Sequence, residues 1–464
     1  MKVTFLIPPT FDKERPADRS LGYSYMTYPT MNTYELTMAA MLEDDGYTVA
    51  YEDFVLTKRS HHDLEHFLIM DESEIYFIWS VNLSVENDLS ATKFIQKYSP
   101  DTYIVYMGPA PTLYADRFLT THQQIVVRGE PELTVRDLCR HIAQHETYRD
   151  VKGISFLNVN EEIRHNPTRE LIPNLDILPF PARHLLWDKN LFYSPRLKKT
   201  PYAEMLTSRS CSFHCRYCVS GSLSFAREIE EQSVSDKKTG ATFRSPENVE
   251  KEIALLSEEG YKSIGFLDDN FITTEKRLLP IAKALKKYGM IWGCQSRLDG
   301  ITEHVAEILG QNGCRYVEVC VESMDDEILK DIHRGVTSAE ILKSIRLLNK
   351  HHVPVYLNLL FGTSHLESKQ TIELTFKMVK RLKVRHVSVR MATPVPGTDF
   401  YKKATEKGWI LGGDYHPIDQ LKCSLVNYPT LSNKEMEHVL FWCRLKLALS
   451  PRFLFFRIQH IFRS

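Results

Sequence analysis

From residue 202 to residue 392 the chain alternates short β-rich runs with longer amphipathic stretches. That alternation is the pattern of a parallel sheet whose crossovers are helices. The runs are "YAEMLTS" (202–208), "SIGFLDD" (263–269), "IWGCQSR" (291–297), "YVEVCVES" (316–323), "VYLNLLFG" (355–362) and "HVSVRMA" (386–392). Among the helical stretches, "SPENVEKEIALLSEEG" is the clearest, with Ser245 as N-cap, Pro246 at the first helical position and Gly260 ending the run. Six strands are predicted, two short of an eight-fold barrel, with functional residues expected at the strands' C-terminal ends.

The first 145 residues read as a separate α/β module. "KVTFLIPP", "YTVAYEDF", "EIYFIWSV", "DTYIVYMG" and "QQIVVRGE" are five short buried strands, with amphipathic stretches at 33–44, 86–98 and 131–144. This predicts a doubly wound domain with a ligand crevice at the strand C-termini. No G-x-G-x-x-G follows any of these strands, which argues against a dinucleotide. Residues 146–200, including the proline-rich "NPTRELIPNLDILPFPARHLL", are expected to connect this module to a domain at 201–400, and 401–464 to form a helical C-terminal extension.

Lys and Arg total 58 against 59 Asp and Glu, so charge gives no reason to expect a nucleic-acid partner. "MKVTFLIPP" is too short and too soon broken by proline to be a secretory signal, and no run reaches the ~18 to 20 apolar residues that span a bilayer. A cytoplasmic location is expected, where thiols stay reduced, and an odd count of nine cysteines is no disulfide framework.

Cys139, Cys294, Cys314, Cys320, Cys423 and Cys443 are scattered, mostly in apolar or helical surroundings, and read as inert thiols. Cys211, Cys215 and Cys218 instead crowd into "CSFHCRYC". A zinc site wants four ligands, and the ring of His214, adjacent to Cys215, would point away from the sulfurs. A redox pair through Cys215 and Cys218 lacks the thioredoxin-like context. An iron–sulfur cluster held by three thiolates would leave one iron open to a ligand.

The spacing C-x3-C-x2-C, with the aromatic Tyr217 before the last cysteine, resembles the signature of the radical S-adenosylmethionine (SAM) superfamily. The resemblance implies an open (β/α)6 partial barrel. It also implies a [4Fe-4S] cluster on Cys211, Cys215 and Cys218, whose fourth iron chelates SAM and whose electron cleaves it to a 5'-deoxyadenosyl radical. In that pattern Tyr217 of the cysteine motif contacts SAM, and the polar strand ends surround it: Asp268 and Asp269 in "FLDDNF", Arg297 in "CQSRLD", and Glu322 and Ser323 in "CVESMDD". Asp268 and Asp269 also read as caps of the following helix. Gly362 in "LLFGTSHLES" resembles the glycine that lets backbone approach the adenine.

The N-terminal order of "PP" after the first strand, "MGPAPT" (107–112) and "RGEPELT" (128–134) is similar to the cobalamin-binding domain of one branch of that superfamily. Gly108 and Pro109 fall where that branch has a "GGPHPT" turn, and the resemblance implies that they contact cobalamin. No D-x-H-x-x-G motif is present to supply a histidine to cobalt. The resemblance implies a cobalamin-dependent methyltransferase acting on an unactivated carbon and drawing electrons from a flavodoxin or ferredoxin. Radical carbon–carbon coupling or ring formation is the alternative enzyme reading, and a non-catalytic iron–sulfur scaffold or electron carrier is the reading from another class. "YMTYPTM" and the acid-free tail at 439–464 with its five basic residues look similar to radical SAM enzymes of hopanoid and other lipid biosynthesis. A lipophilic small-molecule substrate and peripheral contact with a membrane surface are expected from that likeness, although a helix packed on the barrel also fits the tail.

Overall fold

The computed structural model describes residues 1–11, 15–235, 239–412 and 423–450. The chain forms two compact units, one of residues 1–212 with 220–263, the other of residues 213–219 with 264 onward.

The first unit is built on a seven-stranded sheet of β1 (Lys2–Ile7), β2 (Thr48–Asp53), β3 (Ile75–Trp79), β4 (Tyr103–Met107), β5 (Gln124–Val127), β6 (Ile154–Leu157) and β7 (Ile163–His165), in the order β2-β1-β3-β4-β5-β6-β7. The first five are parallel, with Val3 opposite Val49 on one side and Ile75 on the other. Helices α1 (Thr33–Asp44), α2 (His61–Met70), α3 (Val85–Tyr98), α4 (Pro109–Leu113), α5 (Ala115–Phe118) and α6 (Glu132–Ala143) connect them. The sheet is doubly covered, which is why all five residues of the central strand "IYFIW" are buried. One apolar cluster holds Phe5, Phe77, Val105 and Leu138, while another holds Leu6, Tyr76, Ile78 and Ile104. The pleat sends successive side chains to opposite faces and so separates Phe77 from Tyr76 and Ile78.

The sheet runs past residue 145. From the stretch read as connector, β6 adds antiparallel to β5 and β7 antiparallel to β6. Their lengths of four and three residues and the polar, exposed Arg164 and His165 left little strand pattern to read. The same unit takes in β8 (Tyr202–Met205), β9 (Ser208–Arg209), α7 (Ser222–Val234), β10 (Thr242–Phe243) and α8 (Pro246–Glu258). Ser245 caps α8 by accepting from the Asn248 amide, and Gly260 follows its end at φ +86°.

The second unit carries β11 (Ser263–Phe266, its first residue counted with the first unit), β12 (Ile291–Ser296), β13 (Cys314–Cys320), β14 (Val355–Phe361) and β15 (His386–Met391). The six strands predicted from residue 202 onward are present, in the sheet order β15-β14-β13-β12-β11-β8, and β12 to β15 pair in parallel. Helices α9 (Glu275–Lys287), α10 (Glu303–Gln311), α11 (Asp326–Asp331), α12 (Ser338–Lys350), α13 (Lys369–Val379), α14 (Asp399–Glu406) and α15 (Asn433–Ala448) follow. Both sheets are therefore of the α/β, parallel kind. Among the described residues no helix is long and apolar enough to cross a membrane.

Candidate functional site

In the second unit the cysteine loop meets the ends of β12 and β13. Arg297, just beyond β12, is buried, with a guanidinium nitrogen 3.5 Å from the sulfur of Cys215. Its guanidinium also lies 3.6 Å from the centroid of the Phe213 ring. Three contacts hold it in place: its amide donates to Asn270 Oδ1 at 3.1 Å, Nε donates to Asp299 at 2.8 Å, and Nη2 donates to the Arg334 carbonyl at 2.6 Å. Asn270 is itself fixed by the Ser296 hydroxyl, which donates to it at 2.8 Å.

Glu322, two residues past β13, is buried and left-handed, with φ +66°. A non-glycine residue in that region is strained, and such strain clusters at ligand sites. Its carboxylate accepts from the Tyr217 hydroxyl at 2.7 Å. Burial raises the pKa of Glu322, while Arg334, the Tyr217 hydroxyl and Arg297 pull it down. Tyr217 and Arg297 are thus gathered with Glu322 about one loop.

Sequence reasoning missed Arg334. It is buried, one nitrogen lies 3.8 Å from Cys215 Sγ, another donates to the Cys320 carbonyl, and its Nε has no hydrogen-bond partner among the described residues. Burial opposes its charge, but Tyr217, Cys215 and Glu322 outweigh that and raise its pKa. Asp331 was missed as well. It receives a hydrogen bond from Ser364 at 2.6 Å and lies 3.4 Å from Arg216 and 3.5 Å from Lys403, so it ties the cysteine loop to two later segments. Both residues belong to "DIHRG" (331–335), a short charged segment that begins at the last residue of α11 and carries no strand or cap pattern.

The remaining residues lie as follows. Asp268 is fully buried and Asp269 half-buried, and neither caps α9, whose N-cap is Thr274. Ser323 is buried, with its hydroxyl accepting from the Asp325 amide and 3.4 Å from Thr375 Oγ1, so its contacts lie within the fold. Gly362 has φ +87°, and a Cβ there would come within 3.2 Å of the Met436 sulfur. Its amide donates to Glu367, buried and raised to about 7 by burial against three backbone amides, and its carbonyl accepts from Tyr428.

Of the scattered thiols, Cys139, Cys294, Cys314 and Cys443 are buried as expected, while Cys423 is not. Burial raises Cys294 well above its ordinary value and lifts Cys314 and Cys320 to about 12. Cys211 and Cys215 are half-buried and Cys218 is exposed, as is His214; Cys423, away from the motif, is also exposed. None of the nine cysteines forms a disulfide. Among the described residues no three His, Cys, Asp or Glu side chains gather closely enough to hold a single metal ion. The donor set of the loop fits a cluster: each thiolate would bind its own iron, and two guanidiniums beside Cys215 offset the negative charge that thiolate ligation accumulates.

The first unit has its own crevice at the carboxyl ends of β1 and β2. Pro8, Asp53 and Arg19 line it, with Asn32, Met26 and Asn87. Leu83 and Ser84, which follow β3, line it too, so it reaches the switch point between β1 and β3 of a sheet whose first five strands run 2-1-3-4-5, where open α/β sheets bind ligands. Gly108 and Pro109 are outside this lining. Gly108 has φ +100°, a Cβ on it would meet the Ser80 carbonyl oxygen at 2.6 Å, and Pro109 opens α4, which packs on α7.

Residues 205–379 match the model of the Radical SAM superfamily. An uncharacterised methyltransferase of Pyrococcus horikoshii is 27% identical over 419 residues, covering 89% of this chain and 84% of that one. The radical SAM methyltransferase TsrM of Kitasatospora setae, solved with tryptophan and a SAM analogue, aligns with TM-score 0.67 at 15% identity over 94% of this chain and 80% of its own. The cobalamin-dependent radical SAM enzyme OxsB, solved with aqua-cobalamin and SAM, aligns with TM-score 0.65 at 15% identity over 88% of this chain. The chain spans about 55% of the OxsB chain.

Proposed function

We propose that this protein is a cobalamin-dependent radical SAM methyltransferase, in which the β11–β15 sheet with β8 forms an open partial barrel around SAM. The observation that carries the reading is the pair of guanidiniums on Cys215, set beside the buried Glu322–Tyr217 hydrogen bond at neighbouring strand ends. When bound, the [4Fe-4S] cluster and SAM supply a 5'-deoxyadenosyl radical and methylcobalamin supplies a transferable methyl group. The chain's own residues bind and orient. Cys211, Cys215 and Cys218 hold the cluster, Arg297 faces the SAM carboxylate, and Glu322 accepts from the ribose hydroxyls. Asp268 and Asp269 line the same rim, and the left-handed turn at Gly362 brings backbone toward the adenine.

The first unit would hold cobalamin in its crevice, with the turn at Gly108 and Pro109 contributing backbone contacts. The N-terminal likeness to cobalamin-binding domains and the crevice at the switch point support this. A flavodoxin or ferredoxin supplies electrons, and the substrate is a small lipophilic molecule reached from a membrane surface at which the chain is peripheral.

The test uses full-length protein reconstituted anaerobically with iron, sulfide and hydroxocobalamin. About one equivalent of corrinoid is expected, as for the single crevice of a doubly wound domain. Reduction in the presence of SAM is expected to yield 5'-deoxyadenosine. A reduced, cluster-loaded protein that releases none refutes the radical SAM reading. Protein that cleaves SAM but excludes corrinoid refutes the methyltransferase reading and leaves coupling or ring formation.

A further inference from the structure

The acids of "RGEPELT" grip the strand that leads into the first cysteine. Arg209 lies two residues before Cys211, and its guanidinium is 2.5 Å from Glu130 and 2.6 Å from Glu132. Glu130 follows β5, and Glu132 opens α6. Both acids and the arginine are nearly inaccessible, with side-chain exposures of 4%, 0% and 5%. Arg227 of α7 reaches the same Glu130 at 3.2 Å, so the network has two positive and two negative groups. The second oxygen of Glu130 accepts from the Ile172 amide at 2.6 Å.

Burying four charges is a poor route to stability, since well-packed apolar residues of the same volume usually do as well. What the network fixes is a direction. β9 is two residues long and pairs with β10 only through Thr242–Arg209 and Phe243–Ser208. The next residue, Ser210, has φ +59°, a conformation a serine holds only when its surroundings impose it. Its amide donates to Ser224 Oγ at 2.8 Å, and Arg227 donates to its hydroxyl at 3.4 Å. The charged clamp, the short ladder and these two bonds converge on the residues immediately before Cys211.

We propose that Arg209, held by Glu130 and Glu132, is a positioning residue that sets the backbone path into Cys211. The segment "RGEPELT" then serves the cysteine loop, not the N-terminal crevice. The proposal rests on the reading of Cys211 as a cluster ligand, so one of its readouts is independent of the cluster.

In full-length apoprotein, the rate at which iodoacetamide alkylates Cys211, followed by peptide mass spectrometry, reports how firmly that residue is held. Replacing the pair together, Arg209→Met with Glu132→Leu, removes the clamp without stranding a charge. Cys211 is expected to react about tenfold faster, as a local opening becomes accessible below the global unfolding energy. After reconstitution the same chain is expected to hold less iron and to give a broadened electron paramagnetic resonance (EPR) signal on reduction. Arg209→Lys, which keeps the charge but not the fork, is expected to fall between and carries the test if the double variant does not fold. The control Arg19→Met with Asp88→Leu removes another buried pair of the same unit, 2.6 Å apart, and is expected to leave Cys211 at its native rate. Folded clamp variants with native Cys211 reactivity, iron content and EPR lineshape overturn the proposal. A native protein that binds no cluster refutes the cluster reading instead, and the alkylation rates still decide the clamp.

Discussion

The guanidinium of Arg297 stands 3.5 Å from the sulfur of Cys215 while donating at 2.6 Å to the carbonyl of Arg334, whose own guanidinium approaches the same sulfur to 3.8 Å. One arginine therefore anchors the other, and both face the cysteine loop.

Arg297→Met should separate the two roles assigned here to that side chain. A hydrogen bond to a charged group contributes ~1.5–3 kcal/mol, so SAM affinity is expected to fall about 10- to 100-fold. Three thiolates remain to hold the cluster, so iron content should stay within about a quarter of native. Equilibrium binding of SAM to reconstituted protein, beside an iron assay, measures both. Unchanged affinity would remove Arg297 from the SAM site.

Cys211→Ala, Cys215→Ala and Cys218→Ala are each expected to abolish the brown chromophore and the formation of 5'-deoxyadenosine together, because two thiolates hold a cubane poorly. Cys294→Ala and Cys320→Ala are the matched controls. Burial keeps both of those thiols protonated, with Cys320 raised to about 12, so each change deletes only one buried sulfur. They should cost about 1–2 kcal/mol in stability and leave the chromophore intact. Iron content and anaerobic turnover of SAM report the first group, and thermal melting the second.

The six strand runs from residue 202 and the cap, first proline and closing glycine of α8 were legible because each is local. Val, Ile and Tyr runs declare a buried strand, and Ser245-Pro246 declares a helix start, whatever packs on them. Arg297 and Glu322 were legible for a related reason, since polar residues at the ends of apolar strands stand out. Arg334 and Asp331 were not, because their importance arises only when the segment after α11 folds back to Cys215 and Arg216, over 100 residues away. The partners of Ser323 were likewise hidden: nothing local says that its hydroxyl meets Thr375 on α13. The clamp on Arg209 joins residues 77 and 79 positions apart, beyond any periodicity.

Glu204, on β8, gives the first unit a pH dependence whose sign is fixed. It accepts from the Met31 amide at 2.8 Å and from the Tyr202 hydroxyl at 3.2 Å, yet burial chiefly, and Asp18 next, raise it to about 8. The folded chain therefore keeps this carboxyl protonated where the unfolded chain, near its ordinary 4.5, has lost the proton. Its contribution to stability is full below the unfolded value and declines as pH rises from ~4.5 toward ~8. Glu204→Gln, which carries no titrating proton, should flatten this decline and gain on the native chain as pH rises. Denaturant midpoints at pH 6 and pH 9 provide the check, and a Glu204→Gln chain with the same pH slope as the native one would show that the group is ionised in the fold.

Helix α15 bears on the proposed contact with lipid. Met436, Leu440, Cys443 and Leu447 are buried along one side. Phe441, Trp442, Leu445 and Leu449 form a second stripe, 59%, 46%, 37% and 61% exposed. The tail was expected from 439 onward to be basic and apolar; residues 451–464 of it lie outside the described residues, and the exposed stripe falls within the part that is described. An amphipathic helix of this kind lies along an interface with its apolar stripe in the acyl boundary, where each large side chain adds ~1.5–3 kcal/mol and nearby cations favour anionic lipid. Truncating at residue 438 would also remove the buried Leu440, Cys443 and Leu447, so surface substitutions test the point more cleanly. Phe441→Ser with Trp442→Ser and Leu449→Ser should preserve the melting temperature while lowering recovery on vesicles of anionic and neutral phospholipid at least about tenfold. Recovery of the native chain should also drop between 50 mM and 500 mM salt, if cations on the helix and tail contribute. Native and substituted chains that float equally, both folded, would leave α15 as a packing helix and take away the structural reason for placing this enzyme at a membrane.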